Sequence, residues 1–329
     1  MRTANFKSAA IAALLSMGLL TGCTNGITNQ KTSNHMDTLN LTQEWDKKFP
    51  QSNKVNHRKV TFKNRYGITL AADLYEPKNI ESKVPAIAVS GPFGAVKEQS
   101  SGLYAQTMAE RGFLTLAFDP SYTGESGGEP RNVASPDINT EDFSAAVDFL
   151  IAHPNVDAKR IGIIGICGFG GMGLNAAAMD TRIKATVAST MYDMSRVNAN
   201  GYFDAEDSAE VRRNKREAMN AIRTRDAQNG TATPGTPGLP TSIKGDEPQF
   251  VKDYFDYYKT ERAFHARAIN SNGAWNPTMA LSFINMPLLT YIHEIDNAVL
   301  LIHGENAHSR YFSEDAFKRL KADSYTHLR

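Results

Sequence analysis

The chain contains little cysteine: only Cys23 and Cys167 occur among its 329 residues. Two cysteines exclude the disulfide-dense scaffolds that stabilise many small secreted domains. An excess of charge of one sign is also missing, since 36 basic and 35 acidic residues leave a formal net charge of +1. The lysines and arginines are scattered, so the sequence indicates neither a nucleic-acid-binding face nor a basic membrane-binding helix. We therefore expect no nucleic-acid partner.

A hydrophobic run long enough to cross a bilayer is absent from the N-terminus, where the apolar residues 9–20 are too few. Arg2 and Lys7 precede this run, and Leu20-Thr21-Gly22-Cys23 follows it, which is the layout of a secretory signal. Because a cysteine lies at the cleavage position, residues 1–23 resemble a bacterial lipoprotein signal. The resemblance implies that Cys23 is lipidated and that the lipid attaches the protein to a membrane of the bacterial cell envelope, outside the cytoplasm.

Residues 24–52 contain many polar and few large apolar side chains, so we predict a flexible tether there. In residues 53–329, short apolar segments alternate with helical patterns. Predicted buried strands cover residues 84–90, 113–118, 161–164, 185–188 and 298–302. Such strands, separated by helices, predict a mostly parallel sheet with helices on both faces. The alternation stops between about residues 196 and 287, where we predict an inserted helical cap.

The segment that bears most directly on chemistry runs from Arg160 to Gly171. A hydrophobic strand ends at Gly165, Cys167 follows two residues later, and small residues then begin a helix. A sharp strand-to-helix elbow of this kind exposes a nucleophile and directs the helix N-terminus at the reaction centre. The helix end favours a thiolate, and the backbone N–H of Gly168 is placed to hold an oxyanion. We predict Cys167 as the nucleophile, with an inert buried thiol as the alternative.

This elbow resembles that of the dienelactone-hydrolase-like and acetyl-esterase-like α/β-hydrolases, in which Cys or Ser is the nucleophile. Three further segments agree with the family in type and order: Gly91-Pro92-Phe93-Gly94, Asp119-Pro120 with Gly124-Glu125-Ser126-Gly127-Gly128, and Leu301-Ile302-His303-Gly304-Glu305. The resemblance covers about residues 55–311. It implies an α/β-hydrolase fold, hydrolysis of a small-molecule ester or related acyl substrate, and a second oxyanion donor at the N–H of Phe93. It implies no cofactor. Because the histidines are dispersed and no His/Asp cluster has ligand spacing, we also expect no metal site.

The same resemblance implies an acid after a late strand and a histidine after the last strand. Glu305 or Asp193 is the candidate acid, and His308 or His327 is the candidate base. No apolar strand precedes His327, so we predict that the C-terminal strand is missing. The elbow also departs from the family, since Phe169 occupies a position that is usually glycine. The alternative to an enzyme is therefore a truncated or catalytically inactive relative that uses the fold as a binding scaffold.

Overall fold

The computed structural model describes residues 39–321 and 325–328. In this part of the chain, eight strands form one sheet in the order β1-β2-β4-β3-β5-β6-β7-β8. The strands are β1 (Val55–Lys63), β2 (Thr69–Pro77), β3 (Val84–Ser90), β4 (Leu114–Phe118), β5 (Val156–Ile166), β6 (Ile183–Ser189), β7 (Ala298–His303) and β8 (Tyr325–Leu328). β2 pairs antiparallel with β1 and β4, and all the other pairs are parallel. The predicted mostly parallel sheet is confirmed.

Helices cover both faces of this sheet. The described α-helices are α1 (Ser100–Ala109), α2 (Pro136–Ala152), α3 (Gly168–Met179), α4 (Met194–Asn200), α5 (Ala209–Asn229), α6 (Gln249–Lys259), α7 (Ile269–Asn272), α8 (Ala280–Asn285) and α9 (Arg310–Arg319). Alternate residues of a strand point to opposite faces. Along β3, Ile87 and Val89 accordingly join the apolar cluster of Ala105 in α1. Ala86 and Ala88 join the larger cluster beneath α2 and α3.

The prediction that the C-terminal strand is missing is wrong. β8 extends the sheet at its edge, where Leu300 to His303 of β7 pair in parallel with Tyr325 to Leu328. Pairing satisfies backbone groups that an edge strand otherwise presents to solvent. The segment is short and contains few large apolar residues, so its hydrophobic pattern alone does not indicate a strand.

The C-terminal part of the predicted tether, residues 39–52, is described by the structure and belongs to the domain. Phe49 is buried in the same cluster as Ala105. Lys47 lies 3.1 Å from the carboxylate of Asp73, and the backbone N–H of Thr42 donates to Glu125 over 2.8 Å. Polar residues order this segment by pairing with charged groups far along the chain. Residues 24–38 and Cys23 lie outside the described residues.

Several of these contacts belong to one largely buried group of charged side chains, which we call the ionic cluster. Its members are Asp46, Lys47, Lys59, Asp73, Lys97, Glu98, Asp119, Glu125 and Arg267. The Nζ atom of Lys97 is fully buried and lies 2.8 Å from Asp119, 2.8 Å from Glu98 and 2.6 Å from Glu125. The cluster thus joins the N-terminal segment, the loops after β3 and β4, and the region that precedes α7.

The helices α4 to α8 lie between β6 and β7, which agrees with the insertion predicted over about residues 196–287. We call residues 190–297, which connect these two strands, the insertion. Among the described residues, no helix has the length and the apolar character that a membrane crossing requires.

Candidate active site

Cys167 occupies the sharp turn between β5 and α3. Its backbone has φ +56° and ψ −124°, a conformation that is rare for a residue with a side chain. The turn is fixed on both sides, because the N–H of Cys167 donates to Ser189 over 2.9 Å and its carbonyl accepts from Tyr192 over 3.0 Å. Strain that the surrounding structure holds in place is a frequent property of functional sites.

The departure at Phe169 is accommodated by the glycines around it. The Phe169 ring is buried in the main apolar cluster. A Cβ atom at Gly165 would lie 2.1 Å from the Phe169 carbonyl oxygen, and one at Gly91 would lie 2.9 Å from the Phe169 Cβ. The elbow therefore keeps its tight geometry because these two positions are glycine.

The two backbone amides predicted as oxyanion donors lie at the thiol. Burial raises the pKa of the Cys167 thiol, and hydrogen bonds from the backbone N–H groups of Gly168 and Phe93 lower it in part. Gly168 is the first residue of α3, and Phe93 lies in the loop after β3. A Cβ atom at Gly168 would lie 2.9 Å from the Phe93 Cβ, which shows how closely the two segments approach.

Cys167 opens into a cavity of about 640 Å³ at the carboxyl ends of the strands. Ligands of α/β sheets bind at this edge. The walls come from the loops after β3, β6 and β7 and from the insertion. Seven aromatic side chains line the cavity: Phe93, Tyr192, Tyr202, Phe250, Tyr254, Tyr258 and Trp275. Among the described residues that line it, none is a lysine or an arginine. The cavity therefore suits an uncharged, largely apolar group.

His308, the candidate base in the loop after β7, lines the same cavity as Cys167. Its Nε2 atom lies 2.6 Å from the hydroxyl of Tyr192, which is itself 2.9 Å from the hydroxyl of Tyr254. The Phe250 ring stacks on the imidazole with centroids 4.1 Å apart. Burial lowers the pKa of His308, and the nearby Asp253 carboxylate raises it in part. A neutral imidazole is the form that accepts a proton.

Neither candidate acid is brought to this histidine. The Glu305 side chain is exposed and is not among the residues that line the cavity. Asp193 caps α4, where its carboxylate accepts from the backbone N–H groups of Ser195 and Arg196, each over 3.0 Å. Its role is therefore structural. The backbone of His327 lies in β8 and pairs with that of Ile302.

Tyr192 and Asn270 are two of the cavity residues that sequence reasoning missed. Tyr192 carried one usable signal, because it follows β6 by three residues and so lies at the carboxyl edge of a parallel strand. Asn270 carried none, since it comes from the insertion, whose position over the sheet is not encoded in a local pattern. Asp119 and Ser126 have structural roles: the carboxylate of Asp119 pairs with Lys97, and the Ser126 hydroxyl donates to the Asp119 carbonyl.

In residues 39–321 and 325–328, no three side chains of the metal-binding types lie close enough to hold an ion. Cys23, which is predicted to be lipidated, lies outside these residues.

Comparison with known proteins shows which family this chain is similar to. The model of the family described as X-Pro dipeptidyl-peptidase (S15 family) matches residues 66–328. Protein PA2218 of Pseudomonas aeruginosa is 60% identical over 323 residues, which cover 96% of this chain and 86% of that protein. Its crystal structure has a TM-score of 0.85 and 63% identity, covering 88% of this chain and 90% of the other.

Two further similarities are more distant. The thiohydrolase aneE of Aspergillus aculeatus is 33% identical over 132 residues, which are 40% of this chain and 41% of the fungal protein. The crystal structure of the α/β hydrolase GrgF from Penicillium sp. sh18 has a TM-score of 0.66 and 20% identity, with 83% of this chain and 89% of that one covered. At this identity the likeness concerns the fold alone. The predicted α/β-hydrolase fold is confirmed.

Proposed function

The chain belongs to the X-Pro dipeptidyl-peptidase (S15) family, an α/β-hydrolase-type family, and from this membership and the site we propose that it hydrolyses an ester or thioester through Cys167. One observation carries the proposal. The thiol projects from a positive-φ elbow toward the backbone N–H groups of Gly168 and Phe93, at a cavity that also contains an imidazole. An inert core cysteine needs none of these features.

In the proposed reaction, the Sγ atom of Cys167 attacks the substrate carbonyl carbon, and the thiol proton passes to His308. The N–H groups of Gly168 and Phe93 hold the negative oxygen of the tetrahedral intermediate. The intermediate collapses to an acyl-enzyme, and His308 returns the proton to the departing alkoxide or thiolate. Water then attacks the acyl-enzyme and gives up a proton to His308, which forms a second tetrahedral intermediate. The C–S bond of this intermediate breaks and His308 returns the proton to Sγ, which releases a carboxylic acid and restores the thiol.

The cavity supports an uncharged, largely apolar acyl group. Aromatic rings form much of its wall, and its described lining contains no cation to pair with a carboxylate. A thioester is supported by the thiohydrolase similarity, and a carboxylic ester by the sequence resemblance to dienelactone and acetyl-ester hydrolases. Within the proposal, the dienelactone-type substrate is the less favoured of these, because a dienelactone carries a carboxylate.

The test is hydrolysis of short p-nitrophenyl esters and of acyl thioesters by the purified protein, beside an X-Pro-p-nitroanilide. We expect ester and thioester turnover, covalent labelling of the thiol by iodoacetamide, and loss of both in a Cys167→Ala variant. Wild-type turnover in the Cys167→Ala variant would show that Cys167 is not the nucleophile. If the protein cleaved only the X-Pro anilide, its substrate would be a peptide and not an acyl ester. Absence of both turnover and labelling would favour the inactive scaffold.

We further propose that Cys23 carries a lipid that holds the protein to a membrane of the bacterial cell envelope. The supporting observation is the sequence Leu20-Thr21-Gly22-Cys23 after an apolar run. Metabolic labelling of the full chain with a fatty acid tests this, and labelling that survives Cys23→Ala would contradict it.

A further inference from the structure

The loop that carries Phe93 is held by the insertion. Asn270 of α7 contacts this loop twice. Its side-chain Nδ2 donates to the Phe93 carbonyl oxygen over 2.8 Å, and its backbone N–H donates to the Gly94 carbonyl oxygen over 3.0 Å. Gly94 has φ +82°, and a Cβ atom there would lie 2.4 Å from Oδ1 of Asn270. The two segments therefore fit together only because position 94 has no side chain.

The direction of the Phe93 N–H follows from these contacts and from the turn around them. The Ala95 N–H donates to the Pro92 carbonyl oxygen over 3.0 Å, so that carbonyl points into the turn. In a trans peptide the N–H points away from the preceding carbonyl. The Phe93 N–H accordingly faces out of the turn, where it reaches the thiol of Cys167. The Phe93 ring also stacks on Trp275 of the insertion, with centroids 4.3 Å apart.

We propose that Asn270 is a positioning residue for the oxyanion donor, holding the Phe93 carbonyl so that the N–H of the same residue stays directed at Cys167. This inference rests on the proposed function. Asn270 acts through the loop, because its amide bonds the carbonyl of Phe93 and leaves the N–H of Phe93 free for the reacting oxygen. Since α7 belongs to the insertion that lines the cavity, the donor depends on the insertion for its position.

An Asn270→Asp variant gives the first test, because it keeps the shape and replaces the amide N–H with a carboxylate oxygen that faces the Phe93 carbonyl. We expect kcat to fall about 10- to 100-fold, with KM within about twofold of wild type, as for loss of part of an oxyanion hole. Below about pH 4, the introduced carboxyl becomes protonated and donates again. The ratio of variant to wild-type kcat should therefore rise as the pH falls, which a merely structural role would not produce.

A second test does not depend on turnover. In Asn270→Leu, the side chain is neutral, similar in size and unable to donate. The Phe93 N–H stabilises the thiolate, so its displacement should raise the apparent pKa of Cys167, measured from the pH dependence of iodoacetamide alkylation. This measurement still decides the role of Asn270 if a Cys167→Ala variant retains turnover and the proposed function fails.

The matched controls are Asn272→Asp and Asn272→Leu, which make the same changes at an exposed position of the same helix. We expect both to behave as wild type in kcat and in alkylation. The proposal is overturned if Asn270→Asp has the same kcat as Asn272→Asp, or if the thiol of Asn270→Leu titrates at the wild-type pH. A pH-independent loss of kcat in Asn270→Asp would also overturn it.

Discussion

The ionic cluster and the cavity both place polar groups inside the domain, but they treat those groups in opposite ways. In the cluster, every charge faces an opposite charge: burial alone lowers the pKa of Lys97, yet the surrounding carboxylates raise it well above its ordinary value. Burial raises the pKa of Glu125, which also disfavours the charged form, whereas Lys97 and Lys59 lower this pKa to about 2. Both groups therefore stay charged at neutral pH.

In the cavity, burial outweighs the groups that oppose it, which are the backbone N–H groups at Cys167 and the Asp253 carboxylate at His308. The pKa of Cys167 is raised and that of His308 is lowered, so each is held in its neutral form. Burial also raises the pKa of Tyr192, and the neighbouring thiol adds to this. Groups that must gain or lose a proton during a reaction need a setting in which both forms are accessible. We therefore expect the ionic cluster to stabilise the fold and the cavity to hold the groups that react.

The largest expected effect comes from removing the central cation of the cluster. Lys97→Met leaves Asp119, Glu98 and Glu125 buried with their main partner gone, which costs about 3–5 kcal/mol in comparable cases. We expect this loss in the free energy of unfolding measured with urea. The exposed Lys159 provides the control substitution, Lys159→Met, for which we expect less than about 0.5 kcal/mol. Equal losses in Lys97→Met and Lys159→Met would show that the ionic cluster does not stabilise the fold.

A smaller effect should appear as a pH dependence of stability. Because the pKa of Glu125 in the folded protein is about 2, below its ordinary 4.5, its contribution is complete above pH 4.5 and is lost as the pH falls toward 2. Between pH 5 and pH 2.5, the free energy of unfolding should fall more in the wild-type protein than in Glu125→Gln, by on the order of 2 kcal/mol. Glu129→Gln, an exposed change in the same loop, should leave the wild-type slope intact. An unchanged slope in Glu125→Gln would contradict the assignment.

The smallest expected effect concerns the cavity. The proposed base, His308, can accept a proton only when it is neutral, so kcat/KM should fall as the pH drops through its pKa, with a midpoint below its ordinary 6.5. Asp253 raises that pKa, so Asp253→Asn should move the acidic limb of the pH profile to lower pH. In 1 M salt the difference between the wild-type protein and Asp253→Asn should become smaller. Asp256→Asn on the same helix is the control, and a shift to higher pH in Asp253→Asn would refute the base.

The fold was predictable to the extent that it depends on local pattern. The apolar run at residues 84–90 is β3 within the same bounds, and the elbow at Cys167 followed from a strand, a glycine and a small-residue helix. β8 and residues 39–52 were missed for a shared reason. Both are ordered by partners distant in sequence, the edge of β7 in one case and the charges of Asp73 and Glu125 in the other.

The candidate site divides in the same way. Phe93, Cys167 and Gly168 follow directly from their positions after β3 and β5, and the structure brings them together. Glu305 was chosen from its place after β7, but a loop position does not fix the direction of a side chain, and this one points to solvent. Asn270 lies 177 residues from Phe93, which it contacts, and no spacing rule connects them.

The corner at Cys167 also limits which side chains fit at the proposed nucleophile position. The backbone there is held at φ +56° by bonds from neighbouring main-chain groups, so the corner keeps its shape whatever single atom follows Cβ. Serine would place oxygen where sulfur now lies, whereas the second branch of threonine would clash in this conformation. The backbone of this corner is therefore compatible with Cys167→Ser without a change elsewhere in the domain.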